Sequence, residues 1–179
     1  MTAIHTARML ARYNAWANKQ IFDAVGALPE GEATKERASL FRNMVHTLNH
    51  NYVIDRIWQA HLEGRDHGFT ARNTTEHPPL AELWRKQTEI DDWYIAWSDR
   101  LSDVALDENV SFTLIGGNRG VMTRGEILLH VVNHTSYHRG FVADLFYQVP
   151  ARPPTTDLPV FLRENRTVPK PAASGGCAV

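Results

Sequence analysis

Two pairs of histidines recur at a spacing of four residues: His46 and His50 in "HTLNHNYVIDRIW", and His134 and His138 in "NHTSYHRG". Residues four apart stand above one another on one helix face, so each pair can offer two imidazoles to a single ion. A histidine from a facing helix would complete a three-nitrogen set that leaves positions open to water or substrate. The surroundings are apolar. Ile127, Val131, Val142 and Leu145 fall on the same inward stripe as His134 and His138, with His130 and Phe141 at its margins. A lone histidine on such a face is usually a core residue with a satisfied hydrogen bond. Several without partners would each cost about 1–3 kcal/mol, against a domain stability of about 5–15 kcal/mol. A divalent metal ion is the partner that engages them together.

Rival chemistries leave weaker marks. The Glu-x-x-His pairs of carboxylate-bridged di-iron bundles are missing, as are HExxH, CxxC, a phosphate-binding loop and a dinucleotide fingerprint. Haem held by two histidines and a Ser-His-Asp triad stay open, with no motif favouring either. Closed structural zinc sites usually recruit cysteine, and the only cysteine, Cys177, stands in "SGGCAV" near the end of the chain.

Four segments show the helical periodicity needed to hold such a site. The first runs from about Ala3 to Leu28, its apolar stripe interrupted by Asn14. The second is expected from Ser39 to Gly64 with Phe41 on its apolar face, and the third from Leu80 to about Leu101 after two prolines. "VSFTLIGGNRGVMT" reads as a small β-hairpin around a Gly-Gly-Asn turn, and Thr123 followed by Glu126 has capping-box spacing, opening a fourth helix that runs to about Gln148. "TDLPVFLRE" suits one short helix, and "TVPKPAASGGCAV" is too poor in apolar residues to pack. The expected fold class is therefore all-α: a four-helix bundle with a small β-hairpin between helices three and four and a short C-terminal helix. It would form one domain over residues 1–165, with 166–179 as a disordered tail. The long loop after helix two could carry the chain across the end of the bundle to a non-adjacent corner.

Composition narrows the partners. The chain has 179 residues, of which 43 % are hydrophobic, and its 19 basic and 20 acidic side chains give a net charge of −1. Without a basic block or stripe, nucleic acid is not expected as a ligand. No apolar run approaches the ~18 residues of a membrane span, and the N-terminus lacks the apolar core of a signal peptide. A cytoplasmic protein is the expectation.

Four stretches, "RYNAWANKQI", "TLNHNYVIDRIW", "TRGEILLHVVNHTSYHRG" and "PPTTDLPVFLRE", resemble the DinB family of damage-inducible proteins. These are four-helix bundles regarded as metalloenzymes, unrelated to the DNA polymerase of similar name. The resemblance spans about residues 3–165. It implies a metal triad of His50, His134 and His138 holding one divalent ion per chain, nickel or zinc, between which imidazole ligands do not discriminate. His46 and His130 then become flanking or outer groups. Asn14 and Asp55 lie in matched motifs, where hydrogen bonding between helices is their expected role. Arg139 is either a surface residue or an anchor for a substrate carboxylate, Tyr137 lies near the metal face, and Tyr52 nearly opposite His50. The chain departs from the family pattern at Tyr137, Phe141 and Ala143, which makes its pocket more apolar. The implied activity is a thiol-dependent transfer or isomerisation of a small-molecule substrate using a low-molecular-weight thiol, or a hydrolysis. The alternatives are a non-catalytic metal- or small-molecule-binding protein of a stress response, or an interaction module with a structural metal. A homodimer is implied.

Overall fold

The computed structural model describes residues 2–165. Long helices α1 (Ala3–Gly26), α2 (Met44–Leu62) and α3 (Leu80–Arg100) are followed by a one-turn helix α4 (Asp103–Leu106). A hairpin of β1 (Asn109–Thr113) and β2 (Arg119–Thr123), the long helix α5 (Arg124–Leu145) and the short α6 (Leu158–Asn165) complete the chain. The all-α bundle with its hairpin and C-terminal helix is as the periodicity predicts. The proposed tail, 166–179, lies outside the described residues.

The helix starts have chemical causes. Thr2 caps α1 and Asn43 caps α2, the Asn43 side-chain oxygen accepting from the His46 N–H at 2.7 Å. At α5 the capping box forms in full: the Thr123 hydroxyl accepts from the Glu126 N–H at 3.1 Å, and the Glu126 carboxylate accepts from the Thr123 N–H at 2.7 Å. Because Thr123 is also the last residue of β2, paired with Asn109, the hairpin delivers the chain straight into the helix that carries His134 and His138. The hairpin turn needs left-handed backbone at Gly116 and Gly117, where φ is 103° and 90°.

Helix two begins later than its periodicity suggests, at Met44 rather than Ser39. The preceding residues form a tight turn in which the Arg37 N–H bonds the Arg42 carbonyl at 2.6 Å and Arg42 adopts a left-handed φ of 66°. Phe41 therefore belongs to a loop and not to the helical stripe. Helix α4 and the 3₁₀ turn at Phe146–Gln148 were not anticipated either.

In cross-section α1 and α2 stand at opposite corners, each packed against both α3 and α5. Directions follow from side-chain pairs. Arg12 meets Asp99 while Asn18 meets Asp91, so α1 and α3 are antiparallel. Trp58 meets His130 while His50 meets His138, so α2 and α5 are antiparallel as well. The connections from α1 to α2 and from α3 to α5 thus both cross the bundle diagonally, whereas the loop after α2 leads to an adjacent corner and not across the bundle.

Two apolar clusters fill the interior. One is centred on Trp58, Tyr94, Trp97 and Ile127, the other on Phe22, Met44, Leu83 and Phe146. Between them lies a buried polar layer to which all four long helices contribute. Arg139, 2 % exposed, donates to Asn14 Oδ1 at 2.7 Å, Asn18 Oδ1 at 2.8 Å and Ser136 Oγ at 2.9 Å. Asn18 donates to the Asp91 carboxylate, Gln87 bridges Asp55 and Asp91, and the Thr135 hydroxyl donates to Asp55. Asn14 and Asp55 tie helices together here, as their places in the sequence suggest. Arg139 does so too, contrary to both expectations for it: it is not at the surface, and its guanidinium is sealed away from any substrate. Among the described residues no helix is long and apolar enough to cross a membrane.

Candidate metal centre

The buried face of α5 is rotated from the one drawn through its histidines. Ile127, Val131, Thr135, Arg139 and Val142 face the axis, while His130 and His134 lie on the shoulder toward α2, partly exposed, and His138 is buried at its edge. That rotation aims α5's HxxxH pair at α2 instead of the bundle centre. His50 Nε2 and His134 Nε2 are 3.1 Å apart, and one ring nitrogen from each of His50, His134 and His138 falls within 4.8 Å of the other two. Ring centroids are 4.5–5.0 Å apart around the three. Nitrogens bound about 2.0–2.1 Å from a shared zinc-like ion, at angles between octahedral and tetrahedral, stand about 2.9–3.4 Å apart, so the His50–His134 separation fits. With His50 Nδ1 donating to the Arg72 carbonyl, the same contact is a hydrogen bond in which His134 Nε2–H donates to the His50 lone pair.

The donor set is chemically ready. His50 Nδ1 donates to the Arg72 carbonyl at 2.6 Å, which places the ring's lone pair on Nε2, toward the other two histidines. The Arg72 segment is itself held to α2. Asn49 donates to Asn73 Oδ1 and to Thr74 Oγ1, both at 2.6 Å, the Asn73 amide returns a bond to the His46 carbonyl, and His46 Nε2 donates to the Thr74 carbonyl at 2.9 Å. His134 Nδ1 and His138 Nδ1 are buried with no partner. Burial holds all three imidazoles in the neutral, ligating form. Burial and the neighbouring histidines push His134 down to about 3; burial and His50 push His138 down to about 4; His50 is lowered mainly by burial.

Aromatic rings wall the cluster. Phe41 stacks on His50 at 4.4 Å and tilts against His138 at 5.5 Å, and Phe141 meets His138 edge-on at 5.2 Å. The outer candidates separate clearly. His130 lies 5.7 Å from the His134 ring, wedged against Trp58 at 4.9 Å. Tyr137 is 63 % exposed and touches only the rim of the cluster, its ring 5.1 Å from His138. His46 is part of the clamp on the Arg72 segment, and Tyr52 packs between the two apolar clusters. Phe41, Asn49 and Arg72 escape sequence reasoning. Phe41 passes for a helix residue, and Arg72 sits in an aperiodic loop with no pattern to mark it.

The fold and site define a four-helix-bundle protein with three histidines within metal-binding distance, supplied by two neighbouring helices. Residues 2–170 match the DinB family, and "Protein DinB" of Bacillus subtilis (strain 168) is 30 % identical over 169 residues, covering 88 % of this chain and 94 % of that protein. The chain belongs to the DinB family.

Proposed function

We propose that the protein is a metal-dependent enzyme whose His50, His134 and His138 hold one divalent ion, zinc or nickel, with an open side for a small-molecule substrate. The observation that carries this reading is the convergence of three neutral imidazole nitrogens from α2 and α5, two of them on rings whose other nitrogen finds no protein partner. When bound, the ion supplies a Lewis-acidic position that favours a thiol as its thiolate or lowers the pKa of water toward ~7. The residues do the rest. His50 is locked in one tautomer by the Arg72 carbonyl, and the rings of Phe41 and Phe141 keep water from the flank of the cluster. A thiol-dependent transfer or isomerisation suits this site better than a closed structural role, because the three ligands include no cysteine and leave coordination positions free.

The test is metal content by plasma mass spectrometry on protein purified without a nickel column, beside His134→Ala. About one divalent ion per chain is expected in the parent and none in the variant, with a folded apo-protein that takes the ion back. A metal-free parent that also binds neither zinc nor nickel on titration overturns the reading. An apo-protein that unfolds makes the metal structural.

A further inference from the structure

Of the rings that wall the three histidines, one has a different kind of support. Tyr137 and Phe141 belong to α5, the helix that also carries His134 and His138, and are fixed with it. Phe41 comes from the crossover between α1 and α2. Its ring lies over the face of His50, centroids 4.4 Å and planes 25° apart, and leans on His138 at 5.5 Å. It therefore touches a histidine from each of the two helices, and with it in place His50 and His138 are only 5 % and 6 % exposed. Phe41 packs into neither apolar cluster.

The segment around Phe41 is anchored at both ends and free between them. Arg37 is tied down by its guanidinium, which bonds the Glu32 carbonyl at 2.6 Å and pairs with the Glu32 carboxylate. At the far end Asn43 caps α2, and the Val45 N–H bonds the Ala33 carbonyl at 3.3 Å. Between these anchors the backbone bonds only to itself. The Arg37 N–H meets the Arg42 carbonyl at 2.6 Å, the Arg42 N–H meets the Ser39 carbonyl at 3.2 Å, and the Asn43 N–H meets the Phe41 carbonyl at 2.8 Å. Among the described residues no hydrogen bond ties 38–42 to anything beyond 36–43, and the Ser39 hydroxyl is buried without a partner. Leu40, next to Phe41, is 69 % exposed. The aromatic contact with the two imidazoles is what holds the tip down.

From this construction we infer that Phe41 is a shutter over the three-histidine centre, and that a metal ion enters and leaves as the 38–42 tip lifts about its anchored ends. His50 is held on two sides, its edge by the Arg72 carbonyl and its face by Phe41. It cannot turn away from a bound ion while the tip is down. Lifting the tip breaks no hydrogen bond to the bundle, because the bonds of 38–42 are internal and travel with it. The ring–ring contact is the main interaction lost. Phe41 thus governs how fast the centre exchanges its ion and not how tightly the ion is held. The shutter rests on the metal-centre reading above and supplies its route of exchange.

The test follows cobalt(II) on the full chain, its uptake by the rise of visible absorption and its release by the loss of that absorption into excess EDTA. In Phe41→Ala both rates are expected to rise about tenfold, the effect of removing one ring–ring contact from the closed state. Their ratio, the affinity, should stay within about threefold of the parent. Phe41→Tyr keeps the flat ring and should exchange at the parental rates. The urea midpoint of the metal-free protein should be the same in Phe41→Ala as in the parent, since the ring lies outside both apolar clusters. Unchanged rates in Phe41→Ala overturn the shutter while leaving the metal reading intact. Faster release with unchanged uptake also overturns it, since Phe41 would then only seat His50. A lowered urea midpoint in Phe41→Ala, or alanine-like rates in Phe41→Tyr, overturns it as well, because the ring would then support the fold or the packing instead. A parent that takes up no cobalt overturns the metal reading, and the shutter with it.

Discussion

Along α5 the side chains divide between two polar systems one residue apart. His134 and His138 turn toward α2, while Thr135 and Arg139 turn toward the bundle axis. The axial layer is densely bonded: Arg139 makes three hydrogen bonds to neighbours, and Asp55 and Asp91 accept from Gln87, Asn18 and Thr135, with Arg139 Nε and Gln87 Oε1 left without a partner. The shoulder cluster is open, with two of its buried ring nitrogens facing no protein group. Polar residues that secure the fold spend most of their bonding capacity on one another across four helices. His134 and His138 on the shoulder meet one another and His50, and each keeps Nδ1 without a partner.

The contrast breaks first at Arg139. Replacing it with alanine removes its bonds to Asn14, Asn18 and Ser136 and a positive charge that acts on the buried Asp55 and Asp91, and should cost about 3 kcal/mol at pH 8, read from urea denaturation. The loss should shrink below pH 6, where both carboxyls are protonated. A loss that ignores pH would mean that the layer is held by packing alone.

The next largest effect is the pH profile of the metal-free protein, in which the two systems pull in opposite directions. Burial and the Asp91 charge raise Asp55 to about 8, and burial raises Asp91 to about 7. A carboxyl raised on folding contributes stability fully below its unfolded pKa near 3.8 and loses it as pH climbs to the folded value, so this contribution should fall from about pH 4 to about pH 8. The depressed histidines act in reverse. Their contribution is complete above 6.5 and is lost as pH drops toward about 4 and 3. Between about pH 4 and 6.5 the two trends oppose each other, whereas above 6.5 only the carboxyl loss remains, so urea midpoints should fall from about pH 6.5 to 8 and Asp55→Asn should lessen that fall. A flat alkaline limb in the parent would refute the assignment.

The smallest effect concerns the turn that lays Phe41 over the cluster. Arg42 holds a left-handed φ of 66° there, and its ion pair with Glu36 is exposed on both sides. Arg42→Gly should relieve the strain and raise stability by about 0.5 kcal/mol, seen as a rise in melting temperature. A drop would mean that the ion pair outweighs the backbone.

The helices, the hairpin and its capping box were legible because each rests on local chemistry: period, cap and turn residues. The histidine pairs were legible for the same reason, their spacing being a property of one helix. What sequence could not supply was rotation. Whether Arg139 meets solvent, substrate or Asn14 depends on how α5 turns against three other helices, and no local pattern records that. The same holds for the true start of α2. Ser39, Phe41 and Met44 fit a helical stripe until Asn43 claims the cap and Arg37 closes the turn before it. Arg72 is the extreme case, a loop residue whose position is set by contacts to α2 alone.

The two halves of the histidine triad lie 84 residues apart, joined by the loop from α2 to its neighbour α3 and by the diagonal crossing from α3 to α5. During synthesis an emerging chain offers only His50 for the whole passage of α3 and the hairpin, and one imidazole retains an ion poorly. The HxxxH pair arrives last, and it meets His50 only after the crossing from α3 to α5 has closed. On the proposed reading, an ion held by all three histidines would report a chain that has completed this long-range pairing, and truncation anywhere before Tyr137 should give protein that never acquires one.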